Sequence, residues 1–323
     1  MPRVHWIPLA ALPVLVAAGV QFSGAAFVAS SADPSNALSA HSDWSVPTAS
    51  ASAIARTTAG ATGSIKAGAS YYVYANASDT GNPASGVASV TTNVSALTSA
   101  GGTVSLTAGS YAVGAATYAY RSAAQTAKSS LAAGSYAYTL TLADAAANSG
   151  TQSGFSVTVD ATAPSAADVQ STNVAGGTAG KPDAGDQIVL TFSEPIDPSS
   201  ILAGWTGATA SVVVRITEGG AGNDALTIRN STNSAQLPLG SVNLARTDFV
   251  TATRDFGASG TAATMVQSGN AIALTLGTPS GTTGTAAGAA AMIWTPVATA
   301  TDVAGNAAAT TARTETGTAD LDF

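Results

Sequence analysis

Hydrophobic and polar residues alternate with a period of two in many short runs along this chain. That period places successive side chains on opposite faces of an extended backbone and predicts half-buried β-strands. The clearest run is FSVTVDATAP, Phe155 to Pro164. Phe155, Val157 and Val159 fall on one face, Ser156 and Thr158 on the other. Asp160 opens a polar step. Pro164 has no N–H for a ladder and steers Ala163 out of the helical region. The run therefore predicts the last strand of one unit and a joint to a second unit that begins near Asp168.

Before this joint, strands are expected at Ser70–Ala77 (SYYVYANA), Gly86–Val94 (GVASVTTNV), Thr103–Leu106 (TVSL), Tyr111–Val113, Thr117–Tyr120, Gly134–Leu142 (GSYAYTLTL) and Phe155–Val159. In SYYVYANA, Tyr72 and Tyr74 share one face, and Tyr71 and Val73 the other. After the joint, strands are expected at Asp186–Phe192 (DQIVLTF), Ala210–Ile216 (ASVVVRI), Ala225–Arg229 (ALTIR), Ala271–Leu276 (AIALTL) and Ala291–Pro296 (AMIWTP). The glycine-rich turn around Gly219 to Asp224 makes a hairpin of the second and third of these. About seven short strands with closely spaced turn signals fit a β-sandwich. The fold class expected is all-β: two Ig-like antiparallel sandwiches in tandem, over 43–160 and 161–323.

Composition sharpens this picture. The 323 residues suffice for two cores, and hydrophobic residues reach 46% while charged ones are only 9%. Disordered chains show the opposite balance. There is no cysteine, which excludes disulfides, thiol catalysis and thiolate metal sites. The net charge is −7 with no basic cluster, so nucleic acid is not an expected partner. Thirteen of the 18 acidic residues follow Asp160.

At the N-terminus, Arg3 and His5 precede an apolar run from Trp6 to Val20 that contains Pro8 and Pro13. It is short and broken for a membrane span. The small residues Ser23 to Ala26 follow, the pattern of an export signal over 1–26. Cleavage is expected after Ala26 or Ala32, leaving a flexible leader over 27–42. The string GAAFVASSADPSNALSA resembles the signals of camelysin-like biofilm-fibre subunits, which implies Phe27 as the new terminus. At the other end, TADLDF carries no hydrophobic anchor and no sorting motif.

Two longer stretches carry a resemblance to bacterial surface Ig-like repeat proteins. GSYAYTLTLADAAANSGTQSGFSVTVDATAP resembles their D-x-A-G-N hairpin turn followed by a last strand and a D-x-T-A-P joint. Asp144 and Asn148 match the turn, and Ala147 stands where the family prefers Gly, which weakens any need for positive φ there. GDQIVLTFSEPIDPSSI resembles S-layer-type Ig-like domains with an F-S-E-P-I signature. The turn recurs as DVAGN, Asp302 to Asn306, this time with Gly305. The resemblance implies fold and an extracellular setting, and is silent on ligand.

Candidate chemistry is sparse. A Ser/His/Asp relay needs histidine, and the two present are His5 in the signal and His41 in the leader. The same count argues against a histidine zinc site. Glu194 and Asp197 are the best carboxylate pair for glycoside hydrolysis, set against a plainer reading in which Glu194 faces solvent and Asp197 caps the Pro198 turn. Calcium needs several convergent oxygens. Asp79, Asp144, Asn148 and Asp160 would converge at one end of the first unit, and Asp302 and Asn306 in the second. Asx side chains in turns also bond their own backbone, and the spacing matches no EF-hand loop. Tyr71, Tyr72, Tyr74, Trp205 and Trp294 would form a sugar-stacking platform if exposed, and a core if not. Asn76, Asn93 and Asn230 begin N-x-S/T sequons, which carry little weight here.

No catalytic, cofactor or metal residue is assigned, with calcium kept as the one alternative. These readings together point to a secreted or cell-surface, non-enzymatic structural or adhesive module. The expected partners are other surface proteins, copies of itself or an extracellular glycan. The rivals are a fibre subunit that donates its leader strand to a neighbour and a carbohydrate-binding accessory module. Few Lys or Glu residues guard the expected sheet edges, so edge-to-edge association is expected to be easy.

Overall fold

The computed structural model of the chain describes residues 43–57, 61–81, 83–319, 321 and 323. The expected signal and leader, with His5 and His41, lie outside these. The described residues form two all-β units, each with its own sheet. The first comprises β1 (Thr48–Arg56), β2 (Ser64–Ile65), β3 (Ser70–Ser78), β4 (Val87–Asn93), β5 (Thr103–Val113), β6 (Ala116–Ser122), β7 (Gln125–Thr126), β8 (Gly134–Asp144) and β9 (Ser149–Val159). The second comprises β10 (Ala166–Thr172), β11 (Gln187–Phe192), helix α1 (Pro198–Ile201), β12 (Ala210–Thr217), β13 (Ala225–Asn230), β14 (Gln236–Asn243), β15 (Arg254–Phe256), β16 (Ala263–Ser268), β17 (Ala271–Thr275), β18 (Ile293–Thr295) and β19 (Arg313–Thr314).

The first sheet runs β1-β3-β6-β5-β4-β8-β9-β2, with β7 beside β3. The second runs β10-β11-β17-β16-β12-β13-β14-β18-β19, with β15 beside β12. Pairing is antiparallel except between β2 and β9, which run parallel. The all-β, two-unit expectation is borne out, and the purely antiparallel one fails at that short edge. β2 is only two residues long and reaches β9 at Ser64–Thr158 and Ile65–Val159, where the loop after β1 brings it alongside.

Each sheet folds over so that its inward residues meet. In the first unit Ile54, Tyr71, Val73, Tyr138 and Val157 form one cluster. Leu106, Leu140 and Leu142 anchor a second beside it. The alternation in β3 holds: Tyr71 and Val73 enter the core, and Tyr72 and Tyr74 face the other way. That second face is also covered. Tyr74 and Tyr118 pack there, and the Arg121 guanidinium lies 4.4 Å from the Tyr72 ring centre and 4.3 Å from that of Tyr111. Cation–π contact of this kind suits a half-covered face. The second unit has one larger core. Trp294 is fully buried, meets Phe192 edge-to-face at 4.7 Å, and donates its Nε1–H to the Leu239 carbonyl at 2.8 Å.

Several expectations are amended. TVSL and the Tyr111–Val113 run are one strand, β5, whose register on β6 slips between Ala108 and Tyr111. Strand β1 (TASASAIAR) was not foreseen, because Ala and Ser supply little contrast between faces. Strand β14 was hidden by Pro238 and Gly240. Gly240 has φ +80°, and a Cβ there would lie 1.9 Å from the Thr295 carbonyl oxygen of neighbouring β18.

All eight tyrosines precede the joint, which makes one prediction unit-specific. Burial pushes the Tyr71 and Tyr138 hydroxyls up to about 12. Both are neutral when folded, and unfolding frees them to ionise near pH 10. Their stabilisation is therefore complete below pH 10 and lost as pH rises towards 12. Urea melts at rising pH are expected to weaken the first unit selectively. Tyrosine absorbance reports that unit, and emission from buried Trp205 and Trp294, with the exposed Trp44 of the first unit replaced by Phe, reports the second.

Candidate metal centres

Two turns, with the carboxylates around them, each gather three acidic side chains. In the second unit, the Asp302 N–H donates to the Asn306 carbonyl at 3.1 Å and closes the turn. Asp302 Oδ1 accepts the Gly305 N–H at 2.6 Å and the Asn306 N–H at 2.7 Å. Its Oδ2 accepts Asn306 Nδ2 at 2.8 Å. The same Nδ2 donates to the Asp160 carbonyl at 3.2 Å, so the turn grips the joint between units. The first unit repeats this. Asp144 Oδ1 accepts the Asn148 N–H at 2.8 Å, Oδ2 accepts Asn148 Nδ2 at 2.8 Å, and Nδ2 reaches the Asp43 carbonyl at 3.1 Å.

A third carboxylate completes each place. Asp43, Asp79 and Asp144 bring one oxygen each within 4.8 Å of one another, as do Asp160, Glu194 and Asp302. The sequence-based grouping is thus corrected. Asp79, Asp144 and Asn148 converge as expected, but their fourth member is Asp43. Asp160 lies at the joint with Glu194 and Asp302, because β9 carries the chain away from the Asp144–Asn148 turn. Glu194 follows β11, where Ile196 bridges Asp302 and the Asp197 N–H donates to the Thr301 carbonyl at 2.8 Å. That pairing turns Glu194 inward, so it does not simply face solvent. Among the described residues, its Oε1 atom is buried without a hydrogen-bond partner. Burial, then the charges of Asp160 and Asp302, and then a side-chain hydrogen bond with Asp160, push Glu194 up to about 6.

The two places differ in how far they are satisfied. Asp43 accepts the Ser45 and Ser85 N–H groups at 2.9 and 2.8 Å, and these hold it below the usual carboxylate range. Asp79 accepts the Gly81 and Gly86 N–H groups at 3.4 and 2.7 Å. At the joint Asp160 Oδ1 accepts the Thr162 N–H at 2.9 Å, and Glu194 Oε1 remains unserved.

Asp197 behaves as expected. It caps α1, with Oδ1 accepting the Ser199 N–H at 3.0 Å. Unforeseen is its ion pair across the joint: Arg56 Nη2 meets Asp197 Oδ2 at 2.7 Å, and Asp197 is 1% exposed. Arg56 Nε also donates to the Val303 carbonyl at 2.9 Å, and the Lys66 N–H donates to the Ala304 carbonyl at 3.1 Å. With Asp197 so engaged, Glu194 and Asp197 are not a matched acid and base. The aromatic platform is likewise not exposed as such. Tyr71 and Trp294 are fully buried, Tyr74 and Trp205 are buried, and Tyr72 alone of that set is half-exposed.

The twin turns also correct the reading of Ala147, which adopts φ +68° despite having a side chain. Gly305 has φ +95°, and a Cβ there would lie 2.8 Å from Arg56 Nη1. Left-handed backbone costs a non-glycine residue about 1–2 kcal/mol. Ala147→Gly is expected to raise the stability of the first unit by about 1 kcal/mol. Gly305→Ala is expected to cost about 2 kcal/mol or more, since it adds a clash to the same strain. Denaturant melts of each variant check both signs.

Comparison with models of protein families, with curated proteins and with solved structures finds no match for this chain.

Proposed function

We propose that this chain is a secreted or cell-surface, non-enzymatic module of two Ig-like sandwiches that holds a fixed spacing and offers surface to other proteins or copies of itself. The observation that carries this reading is the joint. A spacer needs a joint that resists bending, and here the joint is built from specific bonds. Arg56 of β1 reaches across to Asp197 and the Val303 carbonyl. Asn306 reaches back to Asp160. The Ala309 N–H donates to the Pro164 carbonyl at 2.8 Å. Pro164 itself restricts the connecting backbone. Domains linked only by a flexible tether default to relative motion, and this connection has the opposite character. The export signal and the resemblance to bacterial surface repeats supply the extracellular setting.

Breaking a buried ion pair by removing one partner leaves an uncompensated charge, at a cost of about 3–5 kcal/mol. Arg56→Ala is therefore expected to loosen the joint while leaving each sheet folded. Small-angle scattering of the full chain should show a single rigid arrangement for the parent and a broadened distribution for Arg56→Ala, with unchanged circular dichroism. Equal, broad distributions for both would defeat the rigid-spacer reading.

A further inference from the structure

We propose that the outer face of the first sheet binds an acidic polysaccharide, and that the Arg121 guanidinium receives the carboxylate of one of its sugars. Arg121 stands on β6, and two tyrosines of the neighbouring strands bracket it. Its guanidinium carbon lies 4.4 Å from the ring centre of Tyr72 on β3 and 4.3 Å from that of Tyr111 on β5. A guanidinium is planar, stacks on aromatic faces and carries five N–H donors in its edge. The two rings thus fix where the cation sits and leave its fork for another partner. All three residues are half-buried, so each keeps some surface.

The other arginines supply the contrast. Among the described residues, Arg56, Arg215 and Arg246 each meet a carboxylate, Arg229 meets Asn233, and Arg254 and Arg313 donate to backbone carbonyls. Arg121 alone has none of these and shares only a hydrogen bond with the buried Tyr74 hydroxyl. An oriented guanidinium with its fork unanswered suits a carboxylate, which it grips through two parallel bonds. The surroundings suit an anion too. Between Asp43 and Asp160 the chain has four acidic and four basic residues. Three of those acids gather around the Asp144 turn, and Asp160 lies at the joint. A polyanion therefore meets less repulsion here than at the acid-rich second unit. A saccharide fits better than an acidic peptide. Extended peptides add to an open sheet edge, whereas β3, β6 and β5 are neighbours inside the sheet, each paired on both sides. What this face offers is side chains only: one planar cation and phenol hydroxyls, which match the carboxylate and hydroxyls of a uronic acid.

This face is separate from the joint, and its test stands apart from the rigid-spacer reading: binding is read by calorimetry, joint rigidity by scattering. The full chain is titrated at low salt and neutral pH with oligomers of polygalacturonate, and with the same oligomers fully methyl-esterified. Saturable binding of the acid is expected, with the ester weaker by about tenfold or more. Arg121→Lys, which keeps the charge and loses the planar fork, is expected to weaken binding about tenfold. Lys128 lies elsewhere on the unit, its Nζ donating to the Ser95 and Ala96 carbonyls at 2.8 and 3.4 Å. Lys128→Gln is expected to change binding by less than about twofold. Circular dichroism confirms that both variants fold. No saturable binding of the acid overturns the proposal, and so do equal affinities for acid and ester, a comparison that needs no variant. Unchanged binding in Arg121→Lys, or an equal loss in Lys128→Gln, reduces the effect to general attraction and overturns the site. Tighter binding of dextran sulfate than of polygalacturonate overturns the assignment to a carboxylate sugar.

Discussion

A buried carboxylate that bonds its own turn is the constraint on which the two-unit arrangement rests. Asp302 is 2% exposed, and Asp144 4%. Such groups are tolerated inside only when their oxygens are served. Each is served by the backbone of the turn it begins and by the amide of the Asn that ends it. The Asn keeps one more N–H, and spends it on the carbonyl of an aspartate that lies outside the turn, Asp160 or Asp43. A local turn thereby fixes a distant segment. In the second unit that segment is the joint, so the relative placement of the units follows from a five-residue motif.

Around this motif the rest falls into line. Because the Asn306 amide holds Asp160, the chain from β9 to β10 must pass close to β11, and Glu194 is drawn toward Asp302. Because the turn presents the Val303 and Ala304 carbonyls outward, Arg56 and the Lys66 N–H can meet them. The Arg56–Asp197 pair is then nearly dry, which makes it sensitive to loss of either partner. The low overall charge sharpens the contrast: few ionic groups are present, and many of those described are engaged in turns, caps or this contact.

Much of the fold was legible in the sequence. Runs such as DQIVLTF and AIALTL alternate between bulky and small residues, and they become the adjacent strands β11 and β17. The run TASASAIAR has no such contrast, and β1 is recognised only because it pairs with β3 across its length. The candidate site was half legible. The twin Asp…Asn turns were visible as a repeat, and Asp197 as a cap. The grouping of carboxylates was not, since it depends on which end of the unit the joint occupies, and strand direction sets that. Arg56 was invisible for the same reason: its partner lies 141 positions away. Tyr71, Tyr74, Trp205 and Trp294 show the familiar ambiguity of aromatics, which pattern alone places on a strand without saying whether the face is wet.

The difference between Ala147 and Gly305 has a meaning beyond local strain. Both turns demand the same left-handed backbone, yet only the one pressed by Arg56 carries the residue without a side chain. The first turn holds the Ala147 methyl group and bears the conformational penalty of its positive φ. The choice of residue at this single position thus follows whether the Arg56 guanidinium presses on the turn.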